Sequence, residues 1–213
     1  MNPFRPTIPW LLMVNAALAG SSVPSPESDL QCNLEEQLAD SDATELRALP
    51  AQVARTLANS AGSAADAKAD AIGRIVGAGS FDNDFDRIKP GPRSCIVYWY
   101  GFLDNASERV GSHQCRIGRK GPDLTIEKLT GDGFLATISP CKGSGHMFVG
   151  RTFLREQKER RYDPVHPANK GNDNFGNKVG MAYADGGRLF ILSINERGFT
   201  EPDDAFFEVL TVE

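Results

Sequence analysis

Four cysteines, three histidines and a run of alternating aspartates are the residues here whose types and spacing could do chemistry. Cys32, Cys95, Cys115 and Cys141 contain no C-x-x-C pair, so neither a thioredoxin-type redox motif nor a paired-knuckle zinc site fits. His113, His146 and His166 lie on separate stretches, without the H-x-H or H-E-x-x-H spacing that brings two imidazoles to one metal. They read as one strand-surface histidine and two loop histidines. In "FDNDFD", Asp82, Asp84 and Asp86 open like a calcium loop. The glycine and glutamate such a loop needs at its sixth and twelfth positions are Arg87 and Arg93 here, so the stretch reads as a solvated linker. Ser144 in "KGSGH" stands beside His146 but lacks the G-x-S-x-G setting of a nucleophile elbow. No complete catalytic set, metal site or cofactor motif emerges.

The cysteines take their meaning from the N-terminus. Arg5, an apolar run opening at Ile8-Pro9-Trp10-Leu11-Leu12 and the small-x-small Ala17-Leu18-Ala19 read as a signal peptide over residues 1–19. The run of about 12 apolar residues is short of the ~20 that cross a bilayer, so no stable membrane anchor is expected. The expected location is periplasmic or secreted. There, an even set of four cysteines favours two disulfides, of which three connectivities are possible. Cys95 opens one strand and Cys115 lies on the next, so a hairpin makes them neighbours, with a bulge near Gly111 to adjust the register. Cys32 and Cys141 are then paired by elimination. A net charge of −5 gives no reason to invoke nucleic acid.

Those residues need elements to hold them. Residues 20–39 form a linker, Ser/Pro-rich at its start, and residues 40–213 a single domain. Its helical segment covers residues 40–79, with a capping box at Asp42 and Glu45. Leu46, Leu49, Val53 and Leu57 form an apolar stripe, and Pro50 within it predicts a kink or two short helices. A second helix is predicted from a Ser63 cap to Val76, stopped by Gly77-Ala78-Gly79.

From residue 94 the period changes to two. "CIVYWYGF" suits a strand covered on both faces, and seven further β-forming runs follow, with turns at Gly121-Pro122, Asp132-Gly133 and Gly186-Gly187. The predicted fold is therefore α+β: two N-terminal helices, then an eight-strand antiparallel sheet. It closes as an up-and-down barrel or lies as a curved open sheet on the helices. One connection, residues 155–177, is long enough to be a functional loop or a mobile insertion.

The β half resembles a family of small exported proteins of Gram-negative bacteria known as a domain of unknown function. The likeness rests on a cysteine in the first strand (Cys95), "CRI" at 115–117, "KLTG" at 128–131 and "MFVG" at 147–150. Tyr162 after a charged run, the closing "FFEVL" and a helical segment before the first strand also agree. The resemblance implies an exported, calycin-like β fold and carries no activity with it.

The functional expectation is a non-enzymatic periplasmic binding or inhibitory module for a small ligand or a protein partner. Trp99, Tyr98 and Tyr100 are candidates to line a pocket, with Tyr162 and His166 as loop contributors. The alternative is an exported hydrolase using His146 or His166 with a carboxylate.

Overall fold

The computed structural model describes residues 32, 34–59, 66–102, 106–142, 145–158, 160–169, 172–195 and 206–213. The signal peptide reading, the Ser63 cap and Ser144 fall outside the described residues. Two helices, α1 (Asp40–Asn59) and α2 (Ala67–Ala78), precede nine strands. These are β1 (Gly91–Phe102), β2 (Ala106–Lys120), β3 (Asp123–Lys128), β4 (Gly133–Pro140) and β5 (His146–Phe153). After them come β6 (Ala168–Asn169), β7 (Asn172–Asp185), β8 (Arg188–Asn195) and β9 (Phe206–Val212). Every pairing is antiparallel.

The sheet runs β5-β4-β3-β2-β1-β9-β8-β7-β6, and a further β5–β7 ladder joins its two sides. The result is a closed eight-strand barrel, with the two-residue β6 paired to β7 as an addition the sequence pattern did not announce. Closure satisfies strand edges that an open sheet would leave bare.

Period two explains the layering. Cys95, Val97 and Trp99 point into the barrel, where they meet Ile117, Ile126 and Leu210. The alternate residues Ile96, Tyr98 and Tyr100 point outward and pack with Leu49, Ile72 and Val76 of the helices. Strand β1 is thus covered on both faces, as its uninterrupted β-forming run requires. Tyr100 stacks on Phe207 at 4.5 Å and donates its hydroxyl to the Ala69 carbonyl at 2.7 Å, so the helices are tied to the barrel by more than area.

Both predicted disulfides are present, Cys95–Cys115 and Cys32–Cys141. Cys95 faces His113 and Cys115 faces Arg93, so the bridge is diagonal. The register slips between Val97 and Tyr98, which makes Val110, next to Gly111, the extra residue of a bulge.

Local signals held less well among the helices. Helix α1 runs unbroken through Pro50, where a kink or a break was expected. Pro50 is exposed, and the apolar stripe docked on the barrel outweighs the one backbone hydrogen bond it forgoes. Asp42 is not a cap, because the helix already starts at Asp40. Helix α2 is capped by Asp66, whose side chain accepts from the Lys68 and Ala69 amides. The turn at Asp132-Gly133 is wider than a tight hairpin: Lys128 pairs with Phe134, and the left-handed residue is Gly131.

The stretch after β5 is fastened to the outside of the barrel. Tyr162 donates its hydroxyl to Asp42 Oδ2 at 2.7 Å and accepts from the Ala39 amide, capping α1 from across the fold. Asn177 donates to the same Asp42 oxygen and to the Asp163 carbonyl, while Arg151 donates to Asn177 Oδ1 and the His166 carbonyl. Arg151 is almost wholly buried, and this network is what makes that tolerable.

Candidate functional site

The two ends of the barrel differ in chemistry. At one end the short 3-10 turn Phe85–Arg87 closes the interior. Phe85 sits in the inner core and stacks on His146 at 3.5 Å. Arg119 donates to the carbonyls of Phe85 and Ile88, fixing that turn in place. Burial, seconded by Arg119, lowers the His146 pKa and holds the ring neutral. Asp82, in the linker that leads into this turn, accepts from the Asp84 and Gly186 amides and pairs with Arg87. The aspartate run is thus engaged with its own backbone, and no cluster of metal-ligating side chains occurs among the described residues.

The opposite end holds a cavity of about 420 Å³. Its lining includes Trp99 of β1, His113 of β2, Lys128 of β3, Phe134 of β4, Lys178 of β7 and Glu208 of β9. Each sits on the inward parity of its strand. Lys128 follows Leu124 and Ile126, Lys178 precedes Gly180, Ala182 and Ala184, and Glu208 precedes Leu210 and Val212. The interior is therefore apolar for most of its depth, with charged side chains at the mouth and Arg119 at the closed end.

Glu208 organises the mouth. Lys178 Nζ donates to its Oε1 at 2.7 Å and Trp99 Nε1 to its Oε2 at 2.8 Å. The pair is largely shielded, with side-chain exposures of 11% for Lys178 and 19% for Glu208. Burial alone would raise the Glu208 pKa; Lys178, the Trp99 hydrogen bond and Lys128 together outweigh it and hold the carboxyl below its ordinary range. Trp99 is fixed from its other side by Phe102 and Phe206, each with its ring centroid at 5.0 Å. The indole is thus preset as a wall of the cavity rather than free to collapse into it.

Lys128 is the second cation. It is partly buried, and among the described residues it has no carboxylate within ion-pair distance. Burial lowers its pKa most, with Glu208 and Asp132 favouring its charge and Lys178 and Arg155 opposing it. His113 stands beside it. A Cβ added at Gly131 would lie 3.0 Å from the His113 ring and 4.0 Å from Lys128 Nζ, so both gather round the lip formed by the β3–β4 turn. Burial, then Lys128, lowers the His113 pKa. That ring stays neutral at neutral pH.

Of the residues singled out from sequence, the structure brings Trp99 to this cavity and leaves the others out of its lining. Tyr98 and Tyr100 take the outward parity, beneath the helices, where burial raises both phenol pKa values. Tyr162 is committed to Asp42 and Ala39 on the barrel exterior, and burial raises its phenol as well. His166 is exposed at 76% of its side chain, against Asp163. The residues missed were His113, Lys128, Lys178 and Glu208. The signal that marks them is a titratable side chain on the apolar parity of an otherwise alternating strand.

By fold and site the protein is a closed antiparallel barrel flanked by two helices, with a charged, tryptophan-walled cavity at one end. No family model, curated protein or solved structure matches the chain.

Proposed function

We propose that this protein is an exported, non-enzymatic binding module that takes a small ligand into the mouth of its barrel. The observation that carries the reading is the preset Trp99 wall of a 420 Å³ cavity. That volume is in the range of small-molecule sites, and a few convergent polar groups on an apolar floor are what such sites use for orientation. Two disulfides support an extracytoplasmic, periplasmic or secreted, location. Among the described residues no helix is long and apolar enough to cross a membrane. A calycin-like ancestry and kinship with the exported family of unknown function are part of the same proposal, as is an inhibitory role should the occupant be a protein segment.

Hydrolysis through His146 or His166 is the weaker reading. His146 is stacked in the closed end and has a buried Nδ1 without a partner among the described residues. His166 does meet Asp163, at 3.1 Å, yet neither lines the cavity.

The test is native mass spectrometry of the protein purified from the exported fraction of its host. A small-molecule adduct that Trp99→Ala abolishes is the expected result. Purification without any adduct, combined with failure of every small amphiphile tried to change Trp99 emission, would refute the reading.

A further inference from the structure

The mouth is lined by Lys128 and Lys178 together with the carboxylates of Glu45, Asp132 and Glu208, and the way these charges pair, rather than their sum, names a ligand class. Both oxygens of Glu208 are already engaged: one takes Lys178 and the other takes Trp99. Lys178 is correspondingly neutralised. Lys128 remains, its ammonium turned into the same cavity and partly withdrawn from water. Asp132 favours its charge from the lip, but it is exposed to solvent and screened there. A shielded cation beside an empty volume is a recognition element waiting for its counter-charge, since a buried charge is stabilised chiefly by a partner and hydrogen bonds. Beneath it, Val97, Phe134 and Leu210 offer only carbon, with the Trp99 indole alongside.

We infer that the ligand is an amphiphile with one carboxylate, held by Lys128 at the mouth with its apolar body against Trp99. This rests on the binding reading above and deepens it. A single negative charge is specified because Lys128 is, among the described residues, the one lining cation without a carboxylate at ion-pair distance, so the second charge of a doubly charged head would stand without a partner near Glu208 and Asp132. His113, beside Lys128, has its pKa lowered by burial and adds no second charge there. Lys128 is thus the specificity-determining residue, and the Lys178–Glu208–Trp99 group is its rigid support.

Trp10 and Trp99 are the only tryptophans in the sequence, so the full chain carrying Trp10→Phe reports from the cavity alone. Decanoate, 1-decanol and decyl phosphate would be titrated against it at pH 8 and moderate salt, following Trp99 emission. Decanoate is expected to bind at least tenfold more tightly than decanol or the phosphate. Lys128→Met should erase the preference by weakening decanoate at least tenfold while leaving decanol unchanged. Lys128→Arg, which keeps the charge, should retain most of the preference, and circular dichroism would establish that each variant is folded. Equal binding of decanoate and decanol, unaffected at Lys128, would overturn the carboxylate assignment while leaving a binding barrel intact. Tighter binding of the phosphate would overturn the single-charge assignment. If none of the three perturbs Trp99, the carboxylate inference falls together with the binding reading.

Discussion

Trp99 and Glu208 face one another directly across the β1–β9 ladder and are joined side chain to side chain at 2.8 Å. Residues 109 apart in sequence therefore meet at the seam of the barrel, and the carboxylate they share with Lys178 is shielded from solvent. Its removal has a computable sign.

Glu208→Leu leaves Lys178 without its partner and should cost about 3 kcal/mol of stability, the usual penalty for breaking a shielded ion pair from one side. Glu208→Leu combined with Lys178→Met should recover most of the loss, because an apolar pair needs no desolvation to be offset. Because the folded protein holds the Glu208 carboxyl below its ordinary range, its contribution is present at neutral pH. It disappears as the pH falls through the folded-state value. Urea denaturation at pH 7 and pH 3 should therefore show the parent losing more stability on acidification than the double variant does.

Lys128 has the opposite sign. Its pKa is lowered by burial, so the folded state disfavours the charge the unfolded chain carries freely. Lys128→Met should raise Tm by about 2–4 °C, the shift that ~1 kcal/mol produces in a domain of this size. As pH rises toward the ordinary lysine value, the folded protein releases this proton first and the parent gains stability. The difference between parent and variant should narrow between pH 7 and pH 10 in thermal scans. An unchanged difference would mean Lys128 is better solvated than its surroundings imply.

Tyr162→Phe removes one hydroxyl and two hydrogen bonds, leaving the Ala39 amide without this partner while Asp42 Oδ2 keeps only its bond from Asn177. The expected cost is about 1–3 kcal/mol, the range for orphaned polar groups. The local effect is more telling. Arg155, Lys158, Arg160 and Arg161 are exposed trypsin sites on a segment fastened chiefly by Tyr162 and Asp163. Limited trypsinolysis should cut there markedly faster in the variant than in the parent, with the barrel core still intact.

Much of this was legible in the chain. The change of period was read at residue 94, whereas β1 begins at Gly91; the two-faced apolar run of β1 and the hairpin logic behind Cys95–Cys115 are both realised. Closure of the barrel was left open by the pattern because it rests on the ladder between the first strand, β1, and the last, β9, and no local signal encodes so long-range a pairing. Pro50 misled for a related reason: docking of α1 on the barrel overrides local propensity. The mouth was missed because its residues come from all eight barrel strands and from α1, and only the parity of Lys128, Lys178 and Glu208 hinted that charges point inward.

Non-reducing peptide mapping should recover Cys95–Cys115 and Cys32–Cys141 as the only cross-links. The bridges span 20 and 109 residues, so the chain-entropy model gives about 3 kcal/mol for the first and about 5 for the second. Paired Cys→Ala variants in denaturant melts should show that order. Free thiol at Cys115 in the oxidised, folded protein would contradict the assignment.

The seam also fixes when the protein can become itself. During synthesis β1 appears early and must wait for β9 before its second edge is occupied, because Ile96 and Thr211, 115 residues apart, belong to one ladder. Until then the nascent sheet is an open ribbon with Trp99 and the β8 core facing water. Such non-local pairing is slow and exposes the chain to misassociation. A polypeptide that cannot finish folding before β9 has emerged stays unlocked until then, and ring closure, cavity and indole wall all arrive in a single late event.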